Sequence, residues 1–386
     1  MKLHSLVIFR DLLSDPVIRK LMTLLNADGS DKTTFIDAYC DFAAELFHHT
    51  TDLTTYVAQI MLSDENVYVK KYHSDSGSVL QECLVHELAT LEELGCLEAV
   101  SVREAAAGVY LPMWQTHREN FTETYKNYLK DLSSVGYGIF SKYSMFLYDN
   151  DQFVPIRYPD SQNLADLCGY ERERSKVIAN TEALLRNEKA LNVLLYGDAG
   201  TGKSSTVKAV AAHYFKKGLR LIEIKKNQIH QLPAIMERLV YNPLKFIIFL
   251  DDLSFNSDDG DFASLKAILE GSATGQNKNI VIYATSNRRH LVKENWGDRS
   301  GDDIHEADTR QEFLSLSARF GLTVTFIKPN QSLYLDIIHS LADKYSLGIP
   351  AEKLDSMAEA DAIRRGGRSP RAAKQFIELL RLGIIQ

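Results

Sequence analysis

Gly197-Asp198-Ala199-Gly200-Thr201-Gly202-Lys203-Ser204 decides the fold of this 386-residue chain. The string fits G-x-x-x-x-G-K-[ST], and each residue type in it has a physical task. Gly197, Gly200 and Gly202 permit backbone shapes that side chains resist, and they let the main chain approach a phosphate closely. Successive N–H groups, from Asp198, Ala199 and Thr201 through Ser205, then form an anion cradle. The positive end of the helix that follows faces the same point. Lys203 is placed to reach the terminal phosphates and the Ser204 hydroxyl to ligate Mg²⁺.

The motif needs a strand before it and a helix after it, and the sequence supplies both. Leu191–Tyr196 is a short apolar run and Lys203–Lys216 has helical spacing. Further strands are expected at Leu219–Ile224, Phe246–Leu250, Ile280–Ala284 and Leu322–Ile327, with helices at Leu232–Tyr241 and Asp261–Glu270 between them. Strands alternating with helices imply a parallel sheet, and apolar runs without alternation suit strands covered on both faces. Beyond Pro329 three helices are expected, Leu333–Tyr345, Ala351–Arg364 and Pro370–Leu382.

The third strand ends in Asp251-Asp252. A carboxylate at the end of a buried strand beside a phosphate loop is placed to hold Mg²⁺, which assigns Asp251; Asp252 stands where a water must be oriented. A Glu is more usual at the second place, and Asp is one methylene shorter. The fourth strand runs into Thr285-Ser286-Asn287, whose Asn287 amide could face a γ-phosphate, although Asn is also a routine turn residue. Arg319, before the fifth strand, reads either as a surface ion-pair residue or as an arginine that reaches a neighbouring subunit's nucleotide. Arg371 opens the last helix, where a cation opposes the helix dipole, so a compensating phosphate or carboxylate is expected.

The front of the chain reads differently. Helical spacing is expected over Ile8–Leu25, Phe35–Leu62 and Val79–Val100, with breaks at Gly29-Ser30-Asp31 and Ser74-Asp75-Ser76-Gly77. An aromatic-rich helix, Trp114–Leu132, reads as core packing. Ile139–Leu147 and Phe153–Arg157 flank a turn sequence and predict a hairpin, followed by a linker at Tyr158-Pro159-Asp160-Ser161. Tyr170–Arg186 is a polar-faced helix. Residues 1–160 hold 13 Lys and Arg against 23 Asp and Glu, a balance of −10; the remainder holds 31 against 28, which returns the overall −7. An acidic front argues against a grip on a nucleic-acid backbone by that half.

With 45% hydrophobic and 25% charged residues the composition is that of an ordinary globular protein. No apolar run is long enough to span a membrane, and Leu6-Val7-Ile8-Phe9 is too short for a signal peptide. Cys40, Cys83, Cys96 and Cys168 lack CxxC spacing and read as reduced thiols in a cytoplasmic protein. The eleven histidines are scattered, and no Ser/His/Asp or Cys/His constellation stands out.

The ordered set of elements resembles the AAA+ ATPases: Walker A at 197–204, Walker B at 246–252, sensor 1 at Asn287, arginine finger at Arg319, sensor 2 at Arg371 and a helical lid at the C-terminus. The match is closer still to a bacterial family of predicted ATPases, DUF815. It is carried by Pro155-Ile156-Arg157, Asn180-Thr181-Glu182, Leu195 through Ser205, Asp251 through Phe255, Ser286 through Leu291 and Leu316 through Leu322. In that family the paired Asp is usual, while Lys374 stands where Arg is common. The resemblance covers roughly 150–386. It implies that the segment Asp166-Leu167-Cys168-Gly169-Tyr170-Glu171 lines the adenine, through Leu167 and Tyr170.

The expected architecture is therefore an α/β AAA+ core with a parallel five-stranded sheet flanked by helices (166–328), a helical lid (329–386), a hairpin and linker (136–165) and a mostly helical N-terminal domain (1–135). The expected activity is Mg²⁺-dependent ATP binding and hydrolysis. Lys203, Asp252, Asn287 and, in trans, Arg319 act on the phosphates, Ser204 and Asp251 on the metal, and Arg371 on the γ-phosphate. A nucleotide-dependent homo-oligomer is implied, with a protein client on the acidic N-terminal domain. Two rivals stand beside it. One is a nucleotide-gated switch that barely hydrolyses. The other is a DNA-processing helper using Lys216-Lys217, Lys225-Lys226 and Arg364-Arg365; nucleic acid is not favoured, because three pairs make no stripe. The polar segment Arg288–Glu312, with Asp302, Asp303, His305, Glu306 and Asp308, fits no ligand rule and reads as a solvated loop beside the subunit junction, a candidate lever or partner contact.

Overall fold

In the computed structural model the described residues are 2–28, 30–72, 77–103, 108–160, 163–253, 260–272, 278–287 and 317–385. The polar segment Arg288–Glu312 lies outside them, as do Gly29, Ser74-Asp75-Ser76, Ser161 and Ser254-Phe255. The chain divides into two compact units, Met1–Lys142 and Tyr143–Gln386.

The first unit is helical: α1 (Pro16–Asn26), α2 (Lys32–Phe47), α3 (Leu53–Ser63), α4 (Val67–Lys71), α5 (Gly77–Gly95), α6 (Ala99–Arg103), α7 (Phe121–Lys130), α8 (Leu132–Val135) and α9 (Ile139–Lys142). Three expected helices come out shorter. Pro16 starts α1 rather than sitting inside a longer helix, because it can occupy the first turn and not an interior. Asp52 caps a new helix through Thr55 N–H at 2.8 Å, so Phe35–Leu62 is two helices. Trp114 precedes α7, whose cap is Asn120. It still belongs to the core, edge-on to Phe42 at 4.9 Å and donating from Nε1 to Leu97 O at 2.8 Å.

Much of this unit's acidity is used internally. Asp15 accepts from Val17 and Ile18 N–H, and Asp31 from Thr33 and Thr34 N–H, where the open helix ends leave donors without partners. Glu87, buried on α5, receives the N–H groups of Val7, Ile8 and Phe9 at 2.8–3.1 Å. Its carboxylate thus holds the N-terminal segment onto the helical core.

The second unit is built on one seven-stranded sheet: β1 (Met145–Asp149), β2 (Gln152–Pro155), β3 (Val193–Gly197), β4 (Leu219–Ile224), β5 (Lys245–Leu250), β6 (Ile280–Asn287) and β7 (Leu322–Phe326). The order is β2-β1-β4-β5-β6-β3-β7. The five expected strands form the parallel core. The sheet has two strands more than expected, because the hairpin is not separate from it: β1 lies parallel to β4 (Phe146 opposite Ile222) and β2 runs antiparallel at the edge. The hairpin also starts later than expected, Ile139–Lys142 being helical. Helices α10 (Glu171–Leu185), α11 (Lys203–His213), α12 (Leu232–Leu239) and α13 (Gly260–Ser272) flank the sheet, and every residue of β5 is buried. The lid helices are α14 (Gln331–Lys344), α15 (Ala351–Arg364) and α16 (Pro370–Arg381). Tyr334, Ile338, Leu354, Phe376 and Ile377 join one hydrophobic core with Val193, Val324 and Phe326 of the sheet. Parallel strands bring their carboxyl ends to one edge, where the loop after β3, the residues just past β5 and the last residues of β6 meet.

Candidate functional site

The glycine-rich loop follows β3, whose last residue is Gly197 at φ +144. A Cβ there would stand 1.9 Å from Phe326 O, so only glycine lets β3 and β7 run this close before the loop turns. Gly202, at φ +91, precedes α11 and aims the first N–H groups of the helix at the loop. Lys203 is 6% exposed. Its ammonium donates to Gly197 O at 3.0 Å, Asp198 O at 2.7 Å and Asn287 Oδ1 at 2.9 Å, which uses all three of its protons. Burial pushes its pKa below that of an ordinary lysine, against the pull of Asp198, Asp252 and Asp251.

Register explains how distant residues meet. Gly197 lies opposite Asn287 across the β3–β6 pair, and Leu250 opposite Ala284 across β5–β6. Asp251 and Asp252, just past β5, therefore face Thr285 and Asn287. Ser204 Oγ and Thr285 Oγ1 each donate to Asp251 Oδ1 at 2.6 Å. Asn287 Nδ2 donates to Asp252 Oδ1 at 2.7 Å while its Oδ1 accepts from Lys203, so one amide bridges the lysine and the carboxylate. Asp252 sits at φ +54, a shape few side-chain-bearing residues adopt, held by its N–H to Thr285 Oγ1 at 2.8 Å. Strain of this kind gathers at functional sites.

A cleft of about 790 Å³ opens over this cluster, within the size range of small-molecule sites. One end is lined by Ala199 through Thr206, with Asp251, Asp252, Thr285 and Asn287. The other is lined by Asp166, Leu167 and Cys168 and, from the lid side, by Ile337, Leu341 and Tyr345. Lys344 of α14 pairs with Asp166 at 2.8 Å across that end. Arg371 and Lys374 of α16 line the cleft as well, and Arg371 N–H bonds Gly200 O at 3.2 Å. Behind the loop, Lys328 N–H donates to Asp198 Oδ2 at 2.9 Å and Lys328 Nζ reaches Gly366 O at 3.4 Å.

Most of the expected site residues are thus assembled. Four are placed differently. Gly197 ends β3 and accepts from Lys203 through its carbonyl without lining the cleft. Asp198 serves through its carbonyl and its bond to Lys328 rather than by lining the cleft. Tyr170 is turned into the core: it packs on Phe326 and its hydroxyl donates to Ile327 O at 2.6 Å. Burial raises its pKa far above the ordinary phenol value. Arg319 does not line the cleft of its own chain; its Nε donates to Glu270 Oε1 at 2.5 Å. Thr285, Arg174 and the lid residues Ile337, Leu341, Lys344 and Tyr345 are among the lining residues that were not anticipated. Thr285 had a visible signal, a polar end to an apolar strand. Arg174, which bonds Gly169 O and Glu171, had none within a helix of alternating charge.

None of the curated proteins compared matches the chain. Among solved structures, the Thermotoga maritima RuvB Holliday junction branch migration motor is similar with a TM-score of 0.37 and 20% identity over 58% of this chain and 63% of that one. AMPPCP-bound DnaA from Aquifex aeolicus is similar with a TM-score of 0.40 and 18% identity, over 58% and 66%. The chain therefore spans less than two thirds of each of these chains. The family described as "Protein of unknown function (DUF815)" matches residues 141–382. That span is more than half of the chain and contains every residue of the cleft, so the chain belongs to the DUF815 family.

Proposed function

We propose that the cleft binds ATP and hydrolyses it to ADP and phosphate. The supporting observation is the convergence of the buried Lys203, the Asn287 bridge to Asp252 and the Ser204–Asp251 pair beneath one glycine-rich loop. A phosphate oxygen would displace one of the acceptors now held by Lys203, and the loop N–H groups would take the others. Ser204 Oγ and Asp251 Oδ1, 2.6 Å apart, are the hard oxygen donors that suit Mg²⁺. That ion, when bound, would neutralise charge on the phosphates. Asp252 holds the attacking water and accepts its proton; the water oxygen bonds to the γ-phosphorus as the bond to the bridging oxygen breaks and ADP leaves. Asn287 and Arg371 bear on the γ-phosphate. Leu167, Ile337 and Leu341 supply apolar surface at the base end.

Arg319 cannot serve the cleft of its own chain in this arrangement, so it is assigned to a neighbouring copy, and assembly would be promoted by nucleotide. The test is steady-state hydrolysis with Mg²⁺ against protein concentration. Specific activity is expected to rise with concentration. Lys203→Ala is expected to lose about a hundred- to a thousandfold of the turnover; turnover at the original rate would refute the assignment. Tight ATP binding with a flat, near-zero rate at every concentration would replace hydrolysis by a nucleotide-gated switch.

A further inference from the structure

Arg319 stands on a backbone that the fold fixes. Its neighbour Phe320 is 1% exposed, Gly321 packs against Leu191, and Leu322 opens β7 in register with Val193 of β3. The Cα of residue 319 is thereby tied to the strand that carries the phosphate loop. The side chain is fixed separately. Glu270, on α13, accepts from Nε, the guanidinium nitrogen nearest the stem. A guanidinium reads phosphate with the fork of its outer nitrogens, and a bond at Nε sets the direction of that fork.

A long side chain that reaches a partner's site must give up its rotamer freedom on arrival, and an interaction that orders it beforehand removes that loss. Glu270 is half exposed, so it is not there to fill a core, and its bond falls on Arg319, which does not line the cleft. We infer that Glu270 is a positioning residue, which holds Arg319 by Nε so that the guanidinium is aimed at the nucleotide of a second copy of this chain. The inference rests on the reading of Arg319 as acting in trans.

The experiment uses the full chain as wild type, Arg319→Ala, Glu270→Ala, Glu270→Gln and the Arg319→Ala/Glu270→Ala double variant. Turnover is measured at saturating ATP and at protein concentrations where specific activity has levelled off; ATP affinity is measured with a fluorescent ATP analogue. Arg319→Ala is expected to lose about a thousandfold of kcat. Glu270→Ala is expected to lose about tenfold, through misorientation, with ATP affinity unchanged. Glu270→Gln, which keeps the acceptor oxygen and drops the charge, should restore most of that loss. The double variant should be no slower than Arg319→Ala alone. Full turnover in Glu270→Ala with a slow Arg319→Ala would overturn the role of Glu270 and leave the arginine in place. A further loss in the double variant, or equal losses in Glu270→Ala and Glu270→Gln, would also overturn it. Full turnover in Arg319→Ala would instead remove the trans reading itself.

Discussion

The two units use their polar residues for opposite ends. In the helical unit the carboxylates of Asp15, Asp31, Asp52 and Glu87 are taken up by the chain's own N–H groups. In the α/β unit the polar side chains just past β5 and at the end of β6 contact one another around an open cleft, and Asp252 is held in a strained shape to do so. Polar groups matched to the backbone make a scaffold; polar groups matched to each other over a cavity make a site. An acidic composition alone does not distinguish the two.

The largest effect expected from breaking this contrast is at Gly197. Alanine there meets Phe326 O at 1.9 Å, with φ at +144, so Gly197→Ala should cost about 4 kcal/mol and abolish nucleotide binding, as read by chemical unfolding and ATP titration. Retained binding would show that the β3–β7 approach is not what shapes the loop. Next is Glu87. Glu87→Ala strands three N–H groups and should cost about 2–3 kcal/mol of the stability of the helical unit, with ATP affinity unaltered, since its contacts are with Val7, Ile8 and Phe9. A loss of ATP affinity would blur the division between scaffold and site.

The smallest effect sharpens the comparison. Asp64 ends α3 with Oδ2 lacking a partner among the described residues, and burial pushes its pKa from 3.8 up to about 6. The native state therefore holds this proton more tightly than the unfolded chain. The associated stability is complete below about pH 4 and is lost as pH rises through 6. Asp64→Asn should raise stability at pH 7 by about 1 kcal/mol, discounted for partial exposure, and flatten the pH dependence of the thermal midpoint between 4 and 7. An unchanged profile would mean that Asp64 is solvated.

The sequence showed the site better than it showed the scaffold, and the reasons are physical. Residues 197–204 are constrained by the close approach of β3 to β7 and by the tight turn into α11, so their types and spacing are visible in one line of text. Leu219–Ile224 is a strand from end to end, because both of its faces are buried and the run is unbroken. The pairing of β1 with β4 was not legible, since it joins residues about 75 apart and leaves no local periodicity. Tyr170 misled for a related reason: an aromatic residue beside a base-lining segment suits a ligand or a core equally well, and only the position of Phe326 decides between them. The helix boundaries at Pro16 and Asp52 were written in the sequence as a first-turn proline and a capping aspartate. Hydrophobic spacing alone ran past them.

One feature of the loop reaches further than the cleft. Asp198 holds Lys328, Lys328 holds Gly366, and Arg371 returns to Gly200, so the stretch that leads into the lid, the lid itself and the phosphate loop form a closed circuit of hydrogen bonds. Thermodynamic reciprocity governs such a circuit: whatever factor a ligand of the cleft contributes to keeping it closed, closing it contributes to holding that ligand. A load that pulls on the far ends of α14 to α16 would thus be registered as a change in the cleft's affinity for its ligand, without touching a single residue of the cleft.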